Sequence, residues 1–88
     1  MSNQYWLYVL RSSKDNRLYI GVSNNPEKRL REHNAGKNKS TRHRRPFVLV
    51  YKETFESKQE AFKYEWLVKH RVQYYWQLKK KIARHKAR

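Results

Sequence analysis

The sequence has no cysteine and only seven acidic residues, and these shortages exclude several classes of protein. Without cysteine the chain cannot hold a disulfide framework, a thiol nucleophile or a zinc ion bound by thiolates. No apolar run approaches the roughly 20 residues that a transmembrane helix needs. The opening segment has no basic region followed by an apolar stretch of signal length, so we expect a cytoplasmic protein.

Positive charge and aromatic side chains are abundant instead. The 88 residues include 22 lysines and arginines, the net charge is +15, and 15% of the residues are aromatic. Such an excess of positive charge destabilises a compact domain by self-repulsion, so we expect it to serve in binding a polyanionic partner. We expect that partner to be nucleic acid, in particular DNA, rather than an anionic membrane. The length predicts a single domain over residues 1–88.

Hydrophobic patterning and capping signals predict three strands and three helices. The predicted strands are 5–11, 17–23 and 47–55, and the predicted helices run from Asn25-Pro26 to Gly36, from the capping box at Ser57 to about His70, and over about 73–86 in a basic segment that reaches 88. The order β-β-α-β-α-α predicts an α+β domain with a small three-stranded antiparallel sheet flanked by helices. The unbroken apolar start of the third strand suggests that both of its faces are buried.

The first two strands predict a hairpin with two tyrosines on one face. A four-residue loop over 12–15 would place Tyr8 opposite Tyr19, and a two-residue turn would slide the register but keep both on the same face, beside Gly21. The opposite face is apolar and is predicted to be core; it holds Leu7, Val9, Leu18, Ile20 and Val22. By themselves the tyrosines are more typical of a cross-strand aromatic pair that stabilises the sheet.

Two helices carry further polar candidates. Arg29 and His33 are four residues apart and share a face, where one can bind a phosphate and the other can move a proton. Glu65 falls in a stripe with Ala61, Val68 and Val72, so its carboxylate should point toward protein and needs a partner there. A solvated basic helix and a structural ion pair are the alternatives. Together the residues suggest a phosphodiester site with a cation held by carboxylate oxygen.

The same residues, in order and spacing, resemble the motif series of the GIY-YIG nuclease superfamily. The series runs through Trp6-Leu7-Tyr8, Tyr19-Ile20-Gly21, Arg29, His33 and Glu65, and the resemblance covers about residues 4–70. It is strongest to the small single-domain bacterial members, the UPF0213-like group. The first triplet departs from the pattern because Trp6 and Leu7 replace glycine and isoleucine, which adds bulk at the start of the strand.

The resemblance implies a metal-dependent endonuclease that hydrolyses phosphodiester bonds in DNA. It implies that Glu65 binds Mg²⁺ (or Mn²⁺), that Arg29 stabilises charge on the phosphate, and that His33 assists proton transfer. Tyr8 and Tyr19 would line the site, one of them orienting or deprotonating water, without an assignment between them. Branched or damaged DNA in repair or recombination would be the substrate, and a protein partner could supply targeting, since larger relatives use a separate DNA-binding domain.

The basic loop over 37–46 is the predicted contact to nucleic acid outside the site. With one residue of the second helix, the predicted contacts are Lys37, Lys39, Thr41, Arg42, Arg44, Arg45 and Lys69. Such contacts make binding steeply salt-dependent and largely independent of sequence. Two alternatives to the enzyme stay open: a basic nucleic-acid-binding module with the nuclease fold but little or no cleavage, and a basic structural protein on ribosomal RNA.

Overall fold

A computed structural model describes residues 4–86 and has the predicted element order. The strands are β1 (Tyr5–Ser12), β2 (Leu18–Ser23) and β3 (Phe47–Phe55), and the helices are α1 (Pro26–Asn34), α2 (Lys58–His70) and α3 (Val72–Lys86), with a short 3-10 turn at Arg42–Arg44. The α+β class and the three-stranded antiparallel sheet are confirmed. The last two residues of the predicted basic segment, 87 and 88, lie outside the described residues.

The central strand of the sheet is β1, with β2 and β3 on its two sides. The run Leu7–Leu10 is fully or almost fully buried, because both faces of β1 are covered. The expectation that β3 is buried on both faces is wrong. It is an edge strand, and Val48 near its start is 49% exposed. The continuous apolar run therefore did not mean that both faces of β3 are buried.

Each face of the sheet packs against its own hydrophobic cluster. On one face Leu7, Val9 and Ile20 pack against side chains from α2 and α3, including Val68 and Leu78. On the other face Tyr8, Leu10 and Phe47 form a second cluster, which includes Tyr19 of β2 and Leu30 of α1. The predicted division of the hairpin into an apolar core face and a tyrosine face is thus confirmed. Helix α1 lies on one side of the thin sheet, and α2 and α3 lie on the other.

The hairpin register differs from both predicted registers. Tyr8 pairs with Gly21 and Leu10 pairs with Tyr19, so the two tyrosines are diagonal neighbours. The loop closes where the Ser12 N–H donates to the Arg17 carbonyl at 2.9 Å. Asn16 adopts φ 61°, a left-handed conformation that asparagine tolerates better than most residues. The four-residue loop is therefore shifted by one position along the chain.

Capping side chains set the start of α1 and of α2 as predicted. Asn25 Oδ1 accepts a hydrogen bond from the Lys28 N–H at 3.1 Å, and Ser57 Oγ accepts one from the Glu60 N–H at 3.1 Å. The apolar stripe predicted along α2 ends earlier than expected. Val72 belongs to α3 and is 68% exposed, because the chain turns at residue 71 between the two helices.

The basic loop between α1 and β3 is anchored to the rest of the fold by polar contacts. Ser12 Oγ donates to the Arg44 carbonyl at 2.6 Å, which ties the loop to the end of β1. The Asn34 side chain donates to the Phe47 carbonyl and accepts from the Phe47 N–H, at 3.0 and 2.7 Å. The loop thus has a defined position beside the hairpin. Within residues 4–86, no helix has the length and apolar character needed to span a membrane.

Candidate active site

Gly21 gives the Tyr8 ring the space that it occupies. A Cβ atom at position 21 would lie 2.7 Å from Tyr8 Oη and 2.8 Å from Cζ, which is closer than real contacts allow. The Tyr8 phenol therefore lies directly across the backbone of β2. Because Gly21 stands opposite Tyr8 in the observed register, any side chain there would displace the ring. The ring is 1% exposed, so it has little space in which to move.

Two helices bring charged groups near the Tyr8 phenol. The Arg29 guanidinium, from α1, lies close enough to the hydroxyl to affect the pKa of Tyr8. Burial raises the pKa of Tyr8, and the neighbouring Tyr19 hydroxyl and the Glu65 carboxylate raise it further, while Arg29 opposes them. Glu65 is on α2, and its negative charge also acts on the phenol. The structure thus brings Tyr8, Arg29 and Glu65 into one electrostatic unit.

Tyr19 and His33 form a ring contact beside this unit. Their ring centroids are 4.7 Å apart, and Tyr8 lies 6.3 Å from Tyr19. His33 is only 2% exposed, and its Nδ1 shares a hydrogen bond of 2.8 Å with Thr41 Oγ1. Burial lowers the pKa of His33, and the positive charge of Arg29 lowers it further. The imidazole is therefore neutral at physiological pH and able to accept a proton.

Glu65 is one of two carboxylates near these residues; the other, Glu32 of α1, forms an ion pair with Arg29 at 3.2 Å. The Glu65 side chain is 19% exposed, and Oε2 accepts a hydrogen bond of 2.9 Å from Lys69 Nζ, one turn along α2. Among the described residues no hydrogen bond to Oε1 is present. Residues 4–86 contain no group of three or more histidine, cysteine or acidic side chains placed to hold a metal. This donor set fits a magnesium ion, which often keeps several waters and uses one or two carboxylates.

The predicted nucleic-acid contacts do not form one surface. Lys37 and Lys39 line a pocket of about 260 Å³ together with Arg29 and His33, next to the candidate site. Thr41 is 2% exposed, and it lies where it can fix the His33 ring rather than meet a ligand. A role of Thr41 in nucleic-acid binding stays a prediction, while its hydrogen bond to His33 gives it a structural role.

The arginines of the basic loop do not line the pocket that Lys37 and Lys39 line. Arg44 binds the Asp15 carboxylate at 2.8 Å and lies over the Phe47 ring. Arg45 Nε donates to the Arg42 carbonyl at 2.7 Å. Asp15, in the hairpin loop, thus has a pKa lowered to about 2, chiefly by the Arg44 hydrogen bond. Part of the loop's charge serves to hold the loop against the hairpin.

A large cleft lies beside the candidate site rather than over it. Its volume is about 690 Å³, and we call it the β2-edge cleft; its lining residues are Asp15, Asn16, Arg17, Leu18, Tyr19, Ile20, His43, Arg44, Lys69, Tyr75 and Lys79. It does not include Tyr8, Arg29 or Glu65. It joins the candidate site through Tyr19, which touches His33, and through Lys69, which binds Glu65. The cleft therefore lies next to the site.

Three features of this region were not predicted from the sequence. The side chain of Thr41 as the partner of His33, Arg17 on the cleft, and the close approach of Tyr8 to Gly21 all depend on tertiary packing. Only the glycine carried a signal, since a glycine inside a strand often marks a close approach of another group. The bulky Trp6 also has a defined neighbour, because Lys52 Nζ lies 4.7 Å from its ring centroid.

Comparison with known proteins agrees with the geometry. The family model described as the GIY-YIG catalytic domain matches residues 4–81. The chain is 48% identical over 67 residues to the UPF0213 protein SH2523 of Staphylococcus haemolyticus, covering 75% of this chain and 80% of that protein. It is 48% identical over 69 residues to the UPF0213 protein BLi00048/BL00536 of Bacillus licheniformis, covering 77% and 70%.

A solved structure is also similar. The solution NMR structure of the UPF0213 protein BH0048 from Bacillus halodurans matches with a TM-score of 0.53 and 36% identity, covering 89% of this chain and 85% of that chain. The family model takes in all three strands and most of the helical residues, including every element that surrounds Tyr8. The family is one of nucleases, which act on nucleic acid. The chain belongs to the GIY-YIG catalytic-domain family.

Proposed function

We propose that the protein is a metal-dependent endonuclease that hydrolyses phosphodiester bonds in DNA. The observation that supports this most directly is the position of Tyr8 of β1, which lies beside Arg29 of α1 and within the electrostatic range of Glu65 of α2. Phosphoryl chemistry depends mainly on positioning and on neutralising charge at the phosphate. A cationic fork, a carboxylate and a hydroxyl donor at one point are the groups that this chemistry needs.

Each residue has a role that follows from its surroundings. Arg29 is 46% exposed at its side chain, so its guanidinium can reach a phosphate while it also faces Tyr8. The raised pKa of Tyr8 keeps its hydroxyl protonated at neutral pH, so Tyr8 orients the attacking water or the phosphate by donating a hydrogen bond. The His33 imidazole, whose neutral form is favoured by burial, takes up the proton that the water loses and becomes the imidazolium ion.

Glu65 is the residue that would hold the cation. Bound there, Mg²⁺ or Mn²⁺ would polarise the phosphate and offset the negative charge that builds up in the transition state. Lys69 would then be released from Glu65 Oε2 or would share it, and its ammonium group would face the substrate. The products of hydrolysis are a phosphate monoester and a hydroxyl end, with one water consumed.

The test is a cleavage panel with Mg²⁺ or Mn²⁺ over single strands, duplex, flaps and four-way junctions. The wild-type protein should cut at least one of these substrates, and Glu65→Gln should lower the rate by 10²-fold or more, on the order expected when a metal-site carboxylate is lost. Glu60→Gln is the matched control, because it removes the same charge from an exposed position of the same helix.

The substrates that are cut also test the finer proposal. Preference for flaps or junctions over duplex would support a role on branched or damaged DNA in repair or recombination. Equal rates for Glu65→Gln and the wild type, with unfolding curves unchanged, would show that the cleavage does not arise at this site.

A second candidate is a nucleic-acid-binding module with little or no cleavage. The ion pair between Glu65 and Lys69 favours it, since it gives the carboxylate a partner without any metal. This candidate predicts no cleavage of any substrate in the panel, together with salt-sensitive binding that Glu65→Gln leaves unchanged or strengthens. The Mg²⁺ dependence of cleavage therefore separates the two.

A further inference from the structure

The β2-edge cleft surrounds the free edge of the sheet. Tyr19 and Ile20 are neighbours on β2, so their side chains point to opposite faces, and both line the cleft. Within residues 4–86, β2 pairs with β1 alone, which leaves its outer edge without a strand partner. Side chains from the basic loop border the cleft on one side, and side chains from α2 and α3 border it on the other. The cleft is a channel along the edge of β2.

Both borders of this channel carry positive charge. The basic loop contributes His43 and Arg44, and the hairpin contributes Arg17; the helices contribute Lys69 and Lys79. Asp15 is the one acidic residue among the lining residues, and it binds Arg44.

Two of these cations have no ion-pair partner among residues 4–86. Arg17 and Lys79 form no ion pair with any residue in the described part of the chain. A channel with unneutralised cations on facing borders attracts a chain of negative charges and repels a basic peptide.

Part of the channel's lining, which we call its floor, is apolar. Leu18, Ile20 and Tyr75 contribute to it. A neighbouring hollow of about 430 Å³ extends this surface with Val68 and Val72, and it shares Ile20, Lys69 and Tyr75 with the cleft. Apolar and aromatic surface between cations is the arrangement that binds unpaired nucleotides, whose bases lie on the floor while their phosphates face the borders.

We propose that the β2-edge cleft binds an unpaired nucleic-acid strand that continues from the candidate active site. The inference deepens the proposed function, and it rests on that function for the position of the scissile phosphate. Tyr19 lies on the path between the two, since it lines the cleft and contacts His33. Lys69 also lies on this path, because it binds Glu65. The substrate class is therefore a duplex with a single-stranded extension at the point of cleavage.

The experiment measures binding by fluorescence anisotropy in EDTA, so that no cleavage takes place. The probes are a blunt DNA duplex and the same duplex carrying an oligo-dT tail on its 5′ or its 3′ end. The test variant is Arg17→Ala/Lys79→Ala. The matched control is Arg31→Ala/Lys63→Ala, which removes two exposed positive charges from α1 and α2 away from the cleft.

The wild-type protein should bind one tailed duplex more tightly than the blunt duplex. Loss of two contacts to a single strand should lower the salt slope by about 1.4, which corresponds to about 25-fold weaker binding of the tailed duplex at about 0.1 M salt. The control variant should lose much less affinity for the tailed duplex. Lys79→Gln, which keeps much of the side-chain stem, serves as a second variant if the double substitution changes the unfolding curve.

Two results would overturn the inference. One is equal binding of tailed and blunt duplexes by the wild type. The other is an equal loss for both probes in the Arg17→Ala/Lys79→Ala variant, which would mean that the cleft adds only general electrostatic attraction or binds a different class of partner. Tail-dependent binding without any cleavage in Mg²⁺ would leave this inference standing and remove the hydrolytic proposal instead. Cleavage without tail preference would do the reverse.

Discussion

Replacing Thr41 by valine should destabilise the protein through His33. The two side chains are each 2% exposed, and they share one hydrogen bond of 2.8 Å. Valine has nearly the shape of threonine, so the substitution leaves no cavity but removes the hydroxyl. The His33 Nδ1 atom would then be buried without a partner, which costs about 1–3 kcal/mol. Typical domains have a free energy of unfolding of about 5–15 kcal/mol, so this loss is a substantial share of the total stability.

Urea unfolding followed by circular dichroism measures this loss directly. For a domain of this size, about 1 kcal/mol also lowers the melting temperature by about 4–8 °C. Thr54→Val is the matched control, since Thr54 is exposed on β3 and should change the free energy of unfolding by less than about 0.5 kcal/mol. Combining Thr41→Val with His33→Phe should recover part of the loss, because two apolar side chains leave no unpaired polar atom.

Two outcomes would refute this reasoning. The first is a Thr41→Val protein as stable as the Thr54→Val control. The second is strictly additive losses in the double variant, which would mean that the two side chains do not depend on each other. In either case His33 would have to obtain its position from ring packing with Tyr19 and Phe47 instead.

Three further predictions concern neighbouring groups. Gly21→Ala should lower the free energy of unfolding by about 1–3 kcal/mol in urea, and Tyr8→Leu in the same protein should remove most of the added strain; a neutral Gly21→Ala would contradict the 2.7 Å approach. Because burial lowers the pKa of His33, the unfolded chain binds the proton more readily, so the stability present above about pH 6.5 should be lost as pH falls. His33→Phe should flatten this pH dependence in unfolding curves, and an unchanged slope would exclude His33 as the source. The Asp15 carboxyl should titrate by NMR near pH 2, and Arg44→Gln should move its midpoint toward 3.8; a midpoint near 3.8 in the wild type would rule out the pair.

Local signals in the sequence determined the elements and the division of the hairpin into two faces. Asn25 and Ser57 mark the two helix starts because a cap needs only a side chain three residues from the N–H that it binds. The two faces of the hairpin were predicted correctly although the register was not. Each predicted register differs from the observed one by two pairing positions. A side-chain period of two keeps every residue on its face after such a step.

Tertiary structure alone decided how the strands are ordered and how the site is assembled. The long apolar run of β3 suggested a buried strand, but β1 is central because it is the strand that pairs on both sides. The position of Arg29 beside the Tyr8 phenol, with Glu65 in electrostatic range, joins residues that are far apart in the chain, and no local pattern encodes it. The motif series of the family indicated that these residues belong together. Their meeting, the partnership of Thr41 with His33 and the cleft along β2 follow from packing across the sheet.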